Sequence, residues 1–312
     1  MLPVPLVPDH QLLRVVGSGS GGQVWLARNA LGTFRAIKIV YRQAFNHERP
    51  FEREFNGILK FEPVSRLHDG LVDILQVGSN VEAGYFYCVM ELADDAINGP
   101  YIVPESYTPH TLTQYQRVAK RTPVMDCVRV GSAIASALGF LHKHGLTHRD
   151  VKPSNIIFVH GIPKLADTGL VADVSDTKSF VGTEGFIPPE GTGTAAADIY
   201  ALGKILYELS TGNDRNAYPQ LPTDLGTGLE DQALIQFNRI VLRACRSNPR
   251  QRYSTADEML MALLGFQFKK AELQRDRNFR LAANVFGILG AVTVITVLTL
   301  FVKRLIWLLN NP

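Results

Sequence analysis

Four polar side chains in the middle of the chain have the types and spacing that phosphoryl transfer requires. The run from His148 to Asn155 contains a carboxylate at Asp150, a lysine two residues later at Lys152 and an amide five residues later at Asn155. A further carboxylate, Asp167, follows Asn155 by twelve residues. Phosphoryl transfer needs a carboxylate that orients the attacking hydroxyl, and carboxylate and amide oxygens that hold metal ions against the phosphates. We therefore interpret this cluster as a candidate catalytic centre, although each residue alone could belong to a turn or a surface pair.

A glycine-rich segment near the N-terminus could contact phosphate groups. Gly17, Gly19 and Gly22 follow the G-x-G-x-x-G spacing, which is weak evidence by itself. Two β-like runs, Val24 to Arg28 and Thr33 to Val40, follow the glycines, and no helix does. The pattern therefore predicts a hairpin whose main-chain amides can approach phosphates because no Cβ obstructs them. A flexible surface hairpin is the alternative interpretation.

Lys38 lies in the second of these β-like runs, between Ile37 and Ile39. A lysine in this setting could extend its amino group into solvent from the edge of a sheet. After a glycine-rich hairpin, the more specific interpretation is a cation for the α and β phosphates of a nucleotide.

The order of the elements predicts two lobes. β-like runs dominate the N-terminal part, whereas the stretch from Val124 to His144 has helical periodicity and a short apolar strand covers Ile156 to Val159. An early sheet followed by a helical region indicates an α+β fold. Gly99 and three prolines between residues 95 and 110 predict an irregular connection or insertion there.

Composition and charge exclude several classes of protein. The 312 residues are 46 % hydrophobic and 20 % charged, which predicts a sizeable buried core and excludes a disordered chain or a disulfide-stapled miniprotein. The three cysteines are far apart, so they suggest neither a disulfide framework nor a zinc site. The formal net charge of +3 is concentrated near the C-terminus, and we therefore expect no nucleic-acid partner.

The C-terminal region predicts a membrane anchor. Residues 281–302 contain no Asp, Glu, Lys or Arg, and a helix of that length can cross a bilayer. A buried core helix is the alternative, which such a long uncharged run disfavours. Five basic residues precede the run and two follow it, so the positive-inside bias predicts a cytoplasmic N-terminal body on a single-pass cell-membrane protein. The predicted segments are a basic juxtamembrane stretch (266–280), a transmembrane helix (281–302) and a short extracytoplasmic tail (303–312).

Together these motifs resemble the eukaryotic-type (Hanks-type) serine/threonine protein kinases, and bacterial membrane-anchored members in particular. The resemblance covers residues 10–265 and implies a bilobal protein kinase fold. The small β-rich N-lobe would span about 10–92 and the larger helical C-lobe about 93–265, with the single transmembrane helix after them.

The resemblance implies a catalytic role for each residue of the central cluster. Asp150 would be the catalytic base, and Lys152 would stabilise charge near the transferred phosphoryl group. Asn155 and Asp167 would hold Mg²⁺, with Mn²⁺ as the alternative ion. Asp198 matches the aspartate that supports the catalytic loop.

The resemblance also implies how ATP is bound. Lys38 would hold its α and β phosphates with Glu54 as its ion-pair partner, and Glu52 is the rival candidate for that pair. Met90 would be the gatekeeper, and the main chain of the following residues would bond the adenine edge. The implied nucleotide contacts are Gly17, Ser18, Gly19, Gly22, Val24, Ala36, Lys38, Met90, Glu91, Ala93 and Ile157.

The implied activity is ATP-dependent phosphorylation of Ser and Thr hydroxyls in protein substrates, with activation-loop autophosphorylation in trans within a homodimer. Arg149, beside the implied base, is the family's sign of such control, and Ser175, Thr177 and Ser179 are the acceptors within reach.

Two rival functions share some of these features. A pseudokinase-like membrane scaffold would typically lack the base, the phosphate lysine or the metal carboxylate, all of which are present here. A small-molecule phosphotransferase of the aminoglycoside kind would not be expected to keep Glu190, in Pro188-Pro189-Glu190, together with Arg252.

One departure from the family pattern is Thr168, which stands where a phenylalanine is usual and is expected to loosen the active arrangement.

Overall fold

In a computed structural model of the chain, five antiparallel strands form the N-terminal lobe. The residues described are 5–19, 22–118, 121–173, 182–267, 298–300 and 302–304. The strands are β1 (His10–Ser18), β2 (Gly22–Asn29), β3 (Phe34–Tyr41), β4 (Ile74–Asn80) and β5 (Tyr85–Met90), in the spatial order β1-β2-β3-β5-β4. The two β-like runs predicted from the sequence are β2 and β3.

Alternation along β3 gives this sheet two distinct faces. Ile37, Ile39 and Tyr41 are buried in a cluster with residues of β5. Because successive side chains of a strand point to opposite faces, Ala36 and Lys38 lie on the other face. That face borders the cleft between the lobes.

Helix α1 (Glu48–Ser65) packs beside the sheet. Its buried residues include Ile58, Phe61 and Ser65, whose spacing places them on one face of the helix. Glu54 precedes Ile58 by one helical turn and shares that face, so a polar side chain is brought to the inner side of α1.

The C-terminal lobe is mainly helical. Its helices are α2 (Leu112–Val118), α3 (Val124–Lys143), α4 (Ala195–Thr211) and α5 (Leu229–Ala244), and residues 256–267 are helical as well. Two small sheets accompany them, β6 (Leu146–Thr147) with β9 (Ala172–Asp173), and β7 (Ile156–Val159) with β8 (Ile162–Leu165).

Helix α4 lies at the centre of this lobe and packs against α3 and α5. The Thr194 side chain accepts a hydrogen bond from the Ala197 amide and caps its N-terminus, and Gly212 ends it in the left-handed conformation (φ 71°). A Cβ on Gly203 would overlap Ala244 and Cys245, so glycine permits the close approach of α5. Most of α4 is buried, which makes it a rigid base for the loops above it.

The predicted α+β, two-lobed architecture is confirmed. The stretch with helical periodicity is α3, the short apolar strand is β7, and residues 95–110 form an irregular loop after β5.

One helix among the described residues, α3, is long and apolar enough to cross a membrane by length and composition alone. Most of its residues are buried in the C-terminal lobe, as expected of a core helix. The predicted transmembrane helix (281–302), with its basic flank and tail, lies for the most part outside the described residues. Residues 298–300 and 302–304 are described, and they are helical.

Candidate functional site

The strand register aligns the predicted nucleotide contacts of the N-terminal lobe. Val24 of β2 pairs with Lys38 of β3 and with Gly17 of β1. Ala36, two residues before Lys38, pairs with Met90 of β5. Directly paired residues share a face of the sheet, so these five positions lie on the face that borders the cleft.

The residues predicted to contact the nucleotide, the metal ion or the transferred phosphoryl group all line one cavity between the two lobes, and so does Glu54. Its volume of about 590 Å³ is in the range of small-molecule sites. The predicted residues on its wall are Gly17, Ser18, Gly19, Gly22, Val24, Ala36, Lys38, Glu54, Met90, Glu91, Ala93, Asp150, Lys152, Asn155, Ile157 and Asp167.

Lys38 connects two carboxylates that come from different lobes. Its Nζ lies 2.8 Å from Oε1 of Glu54 on α1 and 2.6 Å from Oδ1 of Asp167, which follows β8. Glu52, the rival candidate for this pair, is exposed. Burial by itself would lower the pKa of Lys38, but the charges of Asp167 and Glu54 outweigh it and raise that pKa above its ordinary value. The ammonium group is therefore charged at neutral pH and held in place.

Asp167 is ionised for the complementary reason. Burial would raise the pKa of its carboxyl, but the charge and hydrogen bond of Lys38 lower it below the ordinary value. Asp167 has a φ of 57°, an uncommon left-handed conformation for a residue other than glycine. A Cβ on Gly169 would overlap the Glu54 carboxylate, so the glycine two residues later allows α1 to approach this segment.

The loop before β7 forms a second charged cluster. Asn155 Nδ2 donates hydrogen bonds to the carbonyl oxygen of Asp150 (2.9 Å) and to its Oδ2 (3.0 Å). The Nζ of Lys152 lies 2.8 Å from the same Oδ2. The Thr183 hydroxyl donates to Asp150 Oδ1 (3.0 Å) and accepts from Lys152 Nζ (2.9 Å). The Asp150 carboxylate is thus already positioned against a threonine hydroxyl.

Asp198 of α4 fixes this loop through hydrogen bonds to its main chain. Its carboxylate accepts hydrogen bonds from the main-chain amides of His148 and Arg149, each at 2.9 Å, and lies 2.9 Å from Nε2 of His142. Burial would raise the pKa of Asp198, but the hydrogen bond and charge of His142 lower it, so the carboxylate is ionised. These contacts fix the main chain immediately before Asp150.

A buried ion pair fixes the segment that follows Thr183. Arg252 Nη1 and Nη2 lie 2.5 and 2.9 Å from the two carboxylate oxygens of Glu190. Nη1 also donates to the carbonyl oxygen of Ala196 in the first turn of α4 (2.9 Å). Arg252 is only 2 % exposed, so this pair belongs to the interior of the C-terminal lobe.

The segment after β5 lies at the far end of the cavity. The Glu91 carboxylate accepts from the Asp73 amide (2.8 Å) and from Lys164 Nζ (2.6 Å), and the Glu91 amide donates to the Asp73 carbonyl (3.2 Å). Within the described part of the chain, no residue donates to the Glu91 carbonyl or accepts from the Ala93 amide. The Glu91 carbonyl, as acceptor, and the Ala93 amide, as donor, are therefore available to hydrogen-bond the edge of a nucleotide base.

The metal-ligand types fit a cation that is shared with phosphate. The Ala166 amide donates to the Asn155 carbonyl (2.8 Å), which brings Asn155 beside Asp167. In the described ranges, no group of three or more His, Cys, Asp or Glu side chains could hold a metal ion. Mg²⁺ commonly binds one or two carboxylates together with phosphate oxygens, and oxygen ligands suit Mn²⁺ as well. The residues present fit such an ion.

Sequence reasoning missed part of the cavity wall. Tyr107, Pro109 and Thr111, in and beside the irregular loop, line the cavity. Their glycine- and proline-rich surroundings predicted a loop, but no residue type marked a contact with the cleft. The predicted phosphorylation sites at Ser175, Thr177 and Ser179 lie outside the described residues.

Comparisons with known proteins agree with this geometry. The protein kinase domain family matches residues 10–267. A probable serine/threonine-protein kinase of Clostridium perfringens is 29 % identical over 275 residues, which cover 80 % of this chain and 37 % of that protein. The serine/threonine-protein kinase PrkC of Bacillus subtilis is 29 % identical over 272 residues, covering 80 % and 39 %. The probable serine/threonine-protein kinase PknB of Corynebacterium glutamicum is 27 % identical over 280 residues, covering 80 % and 41 %.

The chain thus spans about two fifths of the length of these relatives. The family match includes both lobes and every residue of the candidate site. The chain therefore belongs to the protein kinase domain family.

Proposed function

We propose that this chain is an ATP-dependent serine/threonine protein kinase, which transfers the γ-phosphoryl group of ATP to Ser and Thr hydroxyls of protein substrates. The observation that carries the proposal is the position of two charged clusters on one cavity, Lys38 with Glu54 and Asp167, and Asp150 with Lys152. The three relatives are named as serine/threonine-protein kinases, which supports the same activity.

The nucleotide side of the cavity supplies complementary groups along its length. The Glu91 carbonyl and the Ala93 amide, which have no partner in the described part of the chain, would receive the adenine edge. Val24, Ala36 and Ile157 would enclose the ring. The glycine-rich hairpin would cover the phosphates, and the fixed ammonium of Lys38 would bind the α and β groups. Asn155 and Asp167 would hold Mg²⁺, or Mn²⁺, which supplies neutralising charge for the phosphates when it is bound.

The side of the cavity that would receive the substrate hydroxyl, here called the acceptor side, supplies the catalytic base. The Asp150 carboxylate would orient the attacking hydroxyl and accept its proton, and Lys152 would stabilise negative charge on the transferred group. The Thr183 hydroxyl, 3.0 Å from Asp150 Oδ1, illustrates the geometry in which this carboxylate receives a hydroxyl. A neighbouring cavity of about 370 Å³, whose lining includes Lys152, Thr183 and Phe186, is suited to the acceptor segment of a protein substrate.

The decisive experiment measures transfer of labelled phosphate from ATP to a generic protein substrate by the purified full chain with Mg²⁺, and separately with Mn²⁺. Phosphoamino-acid analysis should find phosphoserine and phosphothreonine. Asp150→Asn is the matched inactive control. Nucleotide binding without transfer above this control would favour the pseudokinase-like scaffold, and phosphotyrosine as the sole product would contradict the serine/threonine assignment.

We also propose that residues 281–302 anchor the chain in the cell membrane, with the kinase domain in the cytoplasm. The support is the uncharged run and its basic flank, together with the helical conformation of residues 298–300 and 302–304. The full chain should resist salt extraction from membranes and yield to detergent. Protease added outside intact cells should leave the kinase domain intact, and digestion of that domain would reverse the orientation.

Autophosphorylation of the activation loop, in trans within a homodimer, is the third part of the proposal. It rests on the family resemblance around Arg149 and on the hydroxyl-rich run that contains Ser175, Thr177 and Ser179. Mass spectrometry of active enzyme should find phosphate on this run, and phosphatase treatment should lower activity. A fully active enzyme with an unmodified loop would contradict it.

A further inference from the structure

Residues 94–111 form a loop that follows Ala93 and is fixed by hydrogen bonds at both ends. The Asp95 carboxylate accepts hydrogen bonds from the amides of Ile97 (2.9 Å), Asn98 (2.8 Å) and Thr108 (2.8 Å). The Asp94 carboxylate accepts from the amides of His160 and Gly161, in the turn between β7 and β8. This network explains how a glycine- and proline-rich loop holds a defined shape beside the cleft.

Tyr107 is the largest side chain that this loop inserts beside the cavity. It is 1 % exposed, it lines the cavity, and its hydroxyl donates to the Ala93 carbonyl oxygen at 3.0 Å. Burial and the nearby charges of Asp95 and Asp94 raise the pKa of Tyr107 above its ordinary value. The phenol therefore remains a donor at physiological pH.

The main chain of Tyr107 is held from the opposite lobe. Arg14 of β1 donates one hydrogen bond to the Tyr107 carbonyl and another to the Pro104 carbonyl (2.6 Å). The pairing of β1 with β2 shifts register between Leu12 and Arg14, an irregularity of the kind that redirects side chains. The Tyr107 hydroxyl is thus placed by contacts with both lobes.

After β5, three main-chain groups lie where a nucleotide base could contact them. The Glu91 carbonyl is an acceptor, the Ala93 amide is a donor, and the Ala93 carbonyl is a second acceptor. With all three free, the pattern would complement a purine that carries amino groups at both C6 and C2. The Tyr107 hydroxyl occupies one of the two lone pairs of the Ala93 carbonyl, so a 2-amino group would have to compete with the phenol for this oxygen. The Glu91 carbonyl and the Ala93 amide have no partner among the described residues, and these two groups complement adenine.

We propose that Tyr107 determines base specificity: by engaging the Ala93 carbonyl, it makes the cleft prefer adenine nucleotides over purine nucleotides with a 2-amino group. The inference rests on the proposed binding of ATP to the segment after β5, and it adds the residue that narrows the choice of nucleotide base. Tyr107 would act by competing with the 2-amino group for the Ala93 carbonyl oxygen, without a bond of its own to the nucleotide.

The test compares the dissociation constants of ATP and 2-aminoadenosine 5′-triphosphate, both with Mg²⁺, for the full-length wild type and Tyr107→Phe. The substitution keeps the ring and deletes only the donor. Affinity for the 2-amino nucleotide should rise by about 3- to 10-fold, the size of one neutral hydrogen bond, while affinity for ATP changes by less than about twofold. Tyr101→Phe is the control, because Tyr101 lies on the same loop and is 78 % exposed.

Three outcomes would overturn the inference. Equal weakening of both nucleotides in Tyr107→Phe would indicate a structural role only. An unchanged affinity ratio, with ATP still bound, would show that the Ala93 carbonyl does not read position 2 of the base. If the wild type bound neither nucleotide, the proposed function would fail and this inference with it.

Discussion

The two charged clusters on the cavity are built in opposite ways. The nucleotide-side cluster joins Lys38 to Glu54, 16 residues away, and to Asp167, 129 residues away. The acceptor-side cluster joins Asp150 to Asn155, only five residues away, and to Lys152 within the same loop. The first cluster therefore depends on the placement of α1 and on the closeness of the two lobes. The second is largely preformed in one loop that the buried core holds.

This difference predicts which cluster is adjustable. A shift of α1 or a small opening of the lobes would break the contacts of Lys38 while leaving Asp150 and Lys152 in place. A change in the acceptor-side cluster would instead require disturbance of Asp198 and the buried lobe beneath it. Regulation by conformation is thus expected to act first on the nucleotide side.

The largest effect is expected from Asp150→Asn, which tests the acceptor-side cluster directly. Removal of the proposed base should lower the turnover number by about two to four orders of magnitude, while nucleotide affinity stays within about threefold. Steady-state transfer and equilibrium ATP binding measure the two quantities. Asp224→Asn, at an exposed acidic position, should match the wild type in both. Wild-type turnover in Asp150→Asn would remove Asp150 from the mechanism.

The next effect tests whether the acceptor side depends on its buried support. Arg252→Met leaves Glu190 unpaired in the interior and should destabilise the folded chain by about 3 kcal/mol. Denaturant unfolding measures this loss. Arg243→Met breaks an exposed pair with Glu258 and should cost less than about 1 kcal/mol. Equal losses in the two variants would contradict the view that a buried scaffold holds this side.

Glu54→Gln tests how strongly the nucleotide-side cluster depends on α1. Lys38 would lose one of its two charged partners, and kcat/KM for ATP should fall by about 10- to 100-fold. Glu52→Gln is the matched control on the same helix, since Glu52 is exposed. In a Lys38→Met background, Glu54→Gln should add little, because the two residues act as a pair. A fully additive loss would show that Glu54 acts independently of Lys38.

The smallest effect is expected from Gly169→Ala. The added Cβ must displace the Glu54 carboxylate, so kcat/KM for ATP should fall by about tenfold, the size of one weakened hydrogen bond to a charged group. Gly265→Ala should have no effect, because the added Cβ would meet no other described residue within 4 Å beyond its chain neighbours and its own helix backbone. Retention of full activity in Gly169→Ala would show that α1 can retreat at little cost, and that the nucleotide side is more tolerant than its geometry indicates.

Local sequence patterns predicted a few elements of the fold and the cluster around Asp150, whereas Glu54, Met90 and the residues after it were named only through the resemblance to a family. Alternating apolar residues identified β2 and β3, and helical periodicity identified α3. The contacts among Asp150, Lys152 and Asn155 need only a short loop, so their spacing was informative. Such features depend on dihedral angles and hydrogen bonds within a few residues, which the sequence specifies directly.

Other features depended on the tertiary structure. The sequence left Glu52 and Glu54 as rivals, because two acids on one helix differ only in the face that packing turns inward. It marked residues 95–110 as irregular, but it did not indicate that Tyr107 reaches the Ala93 carbonyl or that Arg14 crosses from β1 to hold it. These contacts join residues 14 and 93 positions apart. Their formation depends on how the whole lobe packs and how the two lobes meet, which no local pattern encodes.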